Sequence, residues 1–214
     1  MVKMFISGSI SSKEIPDDVV KSLDDSRKRN YTILVGDARG IDKNIQDMLK
    51  VDNYKNVEVY HVGPSPRNFS DKEWVCKRVP VDIENEKLFK NGKYTREAQM
   101  IKDKAMSDDA DFGLVIWKDT SRNRFGNVSV SKGSLNNIYN LLMQNKYVGL
   151  FYVPAPEKGI MKFKSIDNFE EQVIEKLVQK ETKDYYYKMK RAINNSKSKK
   201  IPKVSNNEQI SLFG

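Results

Sequence analysis

Apolar residues fall along the chain in short runs separated by longer stretches with helical spacing. Met4-Phe5-Ile6 is a strand-like run ending at Ser7-Gly8-Ser9. Ile15-Pro16-Asp17-Asp18 then starts a helix, with Pro in the first turn and Val19, Val20 and Leu23 at helical spacing. The unit repeats. Thr32-Ile33-Leu34-Val35 is a second, β-branched strand, broken by Gly36-Asp37-Ala38-Arg39-Gly40, and Ile41, Ile45, Met48 and Leu49 mark the buried stripe of a second helix. Val57-Glu58-Val59-Tyr60 reads as a third strand, 94–106 as a helix, Phe112-Gly113-Leu114-Val115-Ile116-Trp117 as a fourth strand, 135–144 as a helix and 147–153 as a fifth strand, stopped by Pro154-Ala155-Pro156. Between 64 and 93 the pattern is weak and predicts a flap or irregular insertion.

Strands of four to seven residues alternating with helices of ten to fifteen, several strands being apolar on both faces, predict an α/β fold. The expected architecture is a Rossmann-like, doubly wound, mainly parallel sheet of about five strands with helices on both faces. Ligands of such sheets lie beyond the carboxyl ends of the strands near the topological switch point, so function is sought in the turns after strands one, two and four. After the fifth strand, Phe169, Val173, Ile174, Leu177 and Val178 form a helical stripe that packs back on the domain. The expected division is a domain over 1–180 and a basic, flexible tail over 181–214.

Charge sharpens this division. The net charge is +9, and from Lys180 onward nine Lys/Arg face three Asp/Glu, which places +6 in that stretch and +3 in the rest. The tail is either a solvated solubilising segment or an arm that touches nucleic-acid phosphates. One cysteine and one histidine exclude a disulfide framework and a Cys/His zinc cluster supplied by this chain, so no metal is expected. No apolar run approaches the roughly 20 residues needed to cross a bilayer, and Met1-Val2-Lys3 leads straight into a strand, so a cytoplasmic protein is expected.

The turn Gly36-Asp37-Ala38-Arg39-Gly40-Ile41-Asp42 joins a strand to a helix, where free N–H groups and the positive dipole end favour an anion such as phosphate. Gly36 and Gly40 permit close backbone approach, Arg39 offers a bidentate donor, and Asp37 and Asp42 accept sugar hydroxyls or cap the helix. Ser7, Gly8 and Ser9 end the neighbouring strand, and Ser131-Lys132-Gly133-Ser134 opens the helix after strand four, so three small-residue turns converge on one sheet edge. Arg67, after Pro64-Ser65-Pro66, is either a surface residue or a phosphate ligand. Trp117 is either core packing or a stacking platform for a base. His61, at the end of strand three, reads as a packed structural residue rather than a general base.

These motifs resemble those of the SLOG superfamily of Rossmann-like nucleotide-binding proteins, which includes LOG-type phosphoribohydrolases and DNA-processing DprA proteins. Ile33-Leu34-Val35-Gly36-Asp37-Ala38-Arg39-Gly40-Ile41-Asp42 is similar to the superfamily's strand-two signature and Ser7-Gly8-Ser9 to its first phosphate turn. Ser131-Lys132-Gly133-Ser134-Leu135-Asn136-Asn137 stands where the family has a Gly-Thr turn, and Lys102-Asp103 with Asp111 resembles the segment before it. The likeness spans roughly 2–153. It implies a bound nucleotide or nucleotide derivative and, as is common in the superfamily, pairing of copies through exposed helices. LOG-type hydrolases place a glutamate three residues after the threonine, whereas this chain has Asn137, an amide that cannot serve as a carboxylate base. Either binding stands without hydrolysis, or Asp37, Asp42 or Asp103 supplies the acid-base group.

The last residues, Gln209-Ile210-Ser211-Leu212-Phe213, resemble the bacterial sliding-clamp-binding peptide, with a Leu-Phe pair for a hydrophobic pocket. Three functions remain open. The first is a nucleotide-binding sensor or adaptor tethered to the clamp in DNA metabolism, plasmid or phage biology. The second is a nucleotide N-glycosidase, and the third a DprA-like binder of single-stranded DNA.

Overall fold

The computed structural model describes residues 1–198 apart from Lys13. Its strands and helices, in chain order, are β1 (Lys3–Gly8), α1 (Asp17–Lys28), β2 (Thr32–Gly36), α2 (Ile41–Val51), β3 (Val57–His61), β4 (Val75–Arg78), β5 (Phe89–Lys90), β6 (Lys93–Tyr94) and α3 (Arg96–Asp109). There follow β7 (Phe112–Trp117), β8 (Thr120–Arg122), β9 (Val128–Val130), α4 (Lys132–Met143), β10 (Tyr147–Tyr152), β11 (Ile160–Phe163), α5 (Ile166–Phe169), a π-helical turn (Glu170–Ile174) and α6 (Lys180–Ser198).

The main sheet has seven strands in the order β11-β10-β7-β1-β2-β3-β4, and every neighbouring pair is parallel except β10 with β11. Its centre is the Rossmann-like doubly wound arrangement that the periodicity predicts, and the chain reverses direction across the sheet between β1 and β7. The two extra strands are both edges. β4 carries Val75-Cys76-Lys77-Arg78, mostly exposed, and β11 covers four residues; an edge strand buries little and so writes little periodicity into the sequence.

Alternation along β1 shows how the layers form. Met4 and Ile6 enter the core beneath α1 and α2 with Val19, Leu23, Ile41 and Ile45, while Phe5 enters the opposite core with Met106, Leu135, Ile138 and Tyr186. Helices α1, α2 and α4 are each followed by an asparagine at positive φ (Asn30, Asn53 and Asn145), a left-handed stop that asparagine tolerates better than most side chains.

Two expectations change. Lys180–Ser198 forms one helix rather than the start of a flexible tail, anchored by Thr182 and Tyr186, both fully buried, with the Tyr186 hydroxyl donating to Glu170 Oε1 at 2.6 Å. Thr182, Tyr186, Met189 and Ile193 follow helical spacing, a stripe that the surrounding lysines obscure. The weak segment 64–93 contributes β4 and the buried Trp74, whose Nε1 donates to Tyr54 O at 2.8 Å. Among the described residues no helix is long and apolar enough to cross a membrane.

Candidate functional site

The turns after β1 and β2 and the start of α4 open onto one cleft of about 460 Å³ at the carboxyl ends of the central strands, a size suited to a small molecule. Ser7, Gly8, Gly36, Ala38, Asp42, Arg67, Asp103, Ser131, Lys132, Gly133, Ser134 and Asn137 line it, so most of the residues expected from sequence share one hollow.

Glycine keeps space open at these turns. A Cβ on Gly8 would lie 2.7 Å from the Ile41 side chain, and one on Gly36 would collide with Asp42 Oδ2 and sit 2.9 Å from Lys102 Nζ. Gly40 caps α2 at φ +79°, and a Cβ there would meet Ile10 O at 2.6 Å.

The turns are tied together by side chains. Ser9 Oγ accepts from Lys118 N at 2.9 Å, donates to Lys118 O at 3.0 Å and lies 2.9 Å from Ser131 Oγ, which joins the turn of β1 to that of β7. Asp37 lies just behind the cleft wall and accepts from Arg67 N at 3.1 Å, Nε at 3.0 Å and Nη2 at 2.6 Å. Asn68 Nδ2 donates to the carbonyls of Asp37 and Ala38 at 2.8 and 3.1 Å. Ser9 and Asp37 thus shape the wall from behind.

Lys102 is the electrostatic centre. It is 2% exposed, and its Nζ lies 3.3 Å from Asp37 Oδ1 and 3.5 Å from Asp103 Oδ1, with Asp42 close by across Gly36. Burial opposes its charge, but Asp103, Asp42 and Asp37 outweigh that cost and raise its pKa. Burial also pushes Asp37 upward, yet the Arg67 hydrogen bonds and the Lys102 charge hold it down to about 2. For Asp42 burial wins, and its carboxyl is pushed up to about 6 with the charges of Asp103 and Asp37 adding to the effect against Lys102 and the Ala38 N–H. Asp103 is likewise raised by burial against the pull of Lys102.

The Asp42 shift has a stability signature. Its folded pKa lies above the ordinary 3.8, so its contribution is fully present below about pH 4 and is lost as pH rises through about 6. Asp42→Asn is therefore expected to flatten the pH dependence of unfolding between those limits and to gain on the order of 2 kcal/mol above pH 7. Urea unfolding across pH 4 to 8 measures it, and a variant less stable than the parent at pH 7.5 contradicts it.

Two residues of the cleft lining carry a buried side-chain atom without a hydrogen-bond partner among the described residues: Ser7 Oγ, on a residue 5% exposed, and Asn137 Oδ1, on a residue 4% exposed. A buried polar atom left unbonded costs roughly 1–3 kcal/mol, so each is a cost that the fold carries beside the cleft. Arg67 reaches the rim from Asp37, with Nη2 also on Gln99 Oε1 at 3.0 Å, while Arg96 and Lys132 add positive charge beside the start of α4.

Gly40, at the cap of α2, is like Ser9 and Asp37 off the cleft wall, and two further expected residues stand elsewhere. Arg39 is exposed and absent from the cleft wall, because the turn points it outward while Arg67, from the β3–β4 connection, takes the position beside Asp37. Trp117 is fully buried, its ring centroid 5.6 Å from Tyr152 and 6.3 Å from Phe169, and is core rather than a stacking platform. His61 is buried outside the cleft, and burial lowers its pKa. The sequence reading missed Arg96, Gln99, Ser121 and Ser129, which line the cleft. Arg96, Gln99 and Asp103 stand at i, i+3 and i+7 on α3, a polar stripe on one helix face that was there to be read. Gln209, Ile210, Ser211, Leu212 and Phe213 lie outside the described residues.

Compared with known proteins, the chain matches no family model and no curated protein.

Proposed function

We propose that this protein binds a nucleotide or nucleotide derivative in the cleft between the turns of β1, β2 and α4. In the same reading Gln209-Ile210-Ser211-Leu212-Phe213 tethers it to the DNA sliding clamp, so that it acts as a sensor or adaptor in DNA metabolism or the biology of a mobile element. The observation that carries the binding reading is the convergence of the turns of β1 and β2 and the start of α4 on one hollow that is rimmed by Arg67, Arg96 and Lys132. The phosphate of such a ligand meets the guanidinium groups and the start of α4.

A nucleotide panel in a thermal-shift assay tests it. A ligand at 100 times its Kd adds about 2.7 kcal/mol, which raises the Tm by roughly 5–10 °C for a domain of this size. Arg96→Ala is expected to weaken that ligand at least tenfold while leaving the free protein's Tm unchanged. No shift with any nucleoside mono-, di- or triphosphate, together with no nucleotide released on denaturing the purified protein, would reject the reading.

N-glycosidic hydrolysis is the second reading, and Asp42 supports it. A carboxyl pushed up to about 6 inside the cleft has the pKa of a general acid at neutral pH, although Asn137 stands where the hydrolases it resembles keep a glutamate. Free base released in the same incubation, and lost in Asp42→Asn, separates turnover from binding.

A further inference from the structure

The antiparallel pair β8 and β9 stands apart from the main sheet, with Thr120 opposite Val130, Ser121 opposite Ser129 and Arg122 opposite Val128. Ser121, Ser129 and Val130 line the cleft. Its tip is held by its own bonds. Asn123 Oδ1 accepts from the N–H groups of Phe125 and Asn127 at 2.9 and 3.0 Å, Asn123 N donates to Asn127 O at 3.0 Å, and Gly126 takes φ +80°. The turn therefore presents Arg124 and Phe125 outward. Phe125 is 72% exposed, and the one ring contact it has among the described residues is the Arg124 guanidinium, 4.7 Å from the ring centroid. Folding gives no reason to place a phenyl ring there.

The charge around it is one-sided. Over residues 118–132 the chain carries Lys118, Arg122, Arg124 and Lys132 against the single carboxylate of Asp119. Asp119 is 1% exposed and already accepts from Gln179 N at 2.9 Å, which ties the base of the hairpin to the segment leading into α6. None of the four cations makes an ion pair among the described residues. An exposed aromatic with one guanidinium against its ring and a second on the same hairpin matches a partner that alternates flat rings with phosphates. A duplex keeps its base faces stacked and out of reach, and a lone phenyl among cations offers little to an apolar peptide.

We propose that the β8–β9 hairpin is a landing site for single-stranded nucleic acid, with Phe125 stacked on a base and Arg122 and Arg124 on the flanking phosphates. Because the hairpin is also a cleft wall, the strand places one of its nucleotides in the cleft; this last step rests on the nucleotide reading of that site, and the stacking does not.

Fluorescence anisotropy of a labelled oligothymidine of about 12 nucleotides, long enough for one such site, with the full chain tests the proposal. Phe125→Ala is expected to weaken binding roughly 5- to 150-fold without changing its salt dependence, and Phe125→Trp to retain it. Arg122→Ala with Arg124→Ala is expected to reduce the log–log salt slope by about 1.4, the value for two phosphate contacts on a single strand. All these side chains are on the surface, so circular dichroism melts should be unchanged, and any contribution of the basic C-terminal segment is common to every variant. Oligonucleotide affinity and salt slope unaltered in both the Phe125 and the double arginine variants would overturn the proposal. Hairpin-dependent oligonucleotide binding without any mononucleotide shift would instead overturn the cleft reading and leave the landing site standing. Mononucleotide binding alongside indifferent hairpin variants would overturn the landing site and leave the cleft reading in place.

Discussion

Replacing Lys102 with methionine is expected to cost about 3–5 kcal/mol of stability at pH 7, the usual penalty for removing one partner of a buried charge cluster. Methionine keeps much of the side-chain volume, so the loss reports charge rather than a cavity. Without the ammonium, Asp37, Asp42 and Asp103 face one another with Arg67 on Asp37 as the remaining ion-pair partner among the described residues and the Ala38 N–H on Asp42. The deficit also has a pH signature. Loss of the cation raises the carboxyl pKa values, so protonation on moving from pH 7 to pH 5 relieves the repulsion and narrows the gap to the parent. Equilibrium urea unfolding at the two pH values measures both effects; a loss that stays constant with pH would mean that packing, not charge, is the contribution of Lys102.

The second large effect is expected at Trp117. Truncation to alanine empties the centre of the aromatic group formed with Tyr152 and Phe169, at a cost of about 3–5 kcal/mol. Ligand affinity should be unchanged, since Trp117 is fully buried and outside the cleft wall. Trp117→Phe is expected to lose much less, because the deleted Nε1–H has no acceptor among the described residues. A variant that melts like the parent but no longer binds a nucleotide would return Trp117 to the role of stacking platform.

The core strands were legible because each is apolar for both of its faces: Phe5 serves one layer while Met4 and Ile6 serve the other, and β2, β7 and β10 repeat the pattern. The glycine turns were legible for a related reason, since Gly8 and Gly40 stand where a Cβ has no room and one on Gly36 would displace Asp42 and Lys102. What escaped was set by long-range geometry. Nothing local distinguishes Arg39, which points outward, from Arg67, which lies 30 positions downstream of Asp37 and forms the paired bond. Lys102 was visible only as part of a likeness, because a lysine in a helix is ordinarily solvated and only the third dimension surrounds this one with aspartates. Helix α6 was hidden by composition, its buried tyrosine sitting among charges that read as solvent-facing.

The bonds of Ser9 to Lys118 and Ser131, and of Asn68 and Arg67 to the Asp37 turn, fix the geometry of the cleft before any guest arrives. The entropy of ordering those loops is thus lost once, when the chain folds, and not again at each encounter. Recognition by such a hollow should be close to lock-and-key, with selectivity set by which small differences in ligand shape a stiff frame refuses to accommodate.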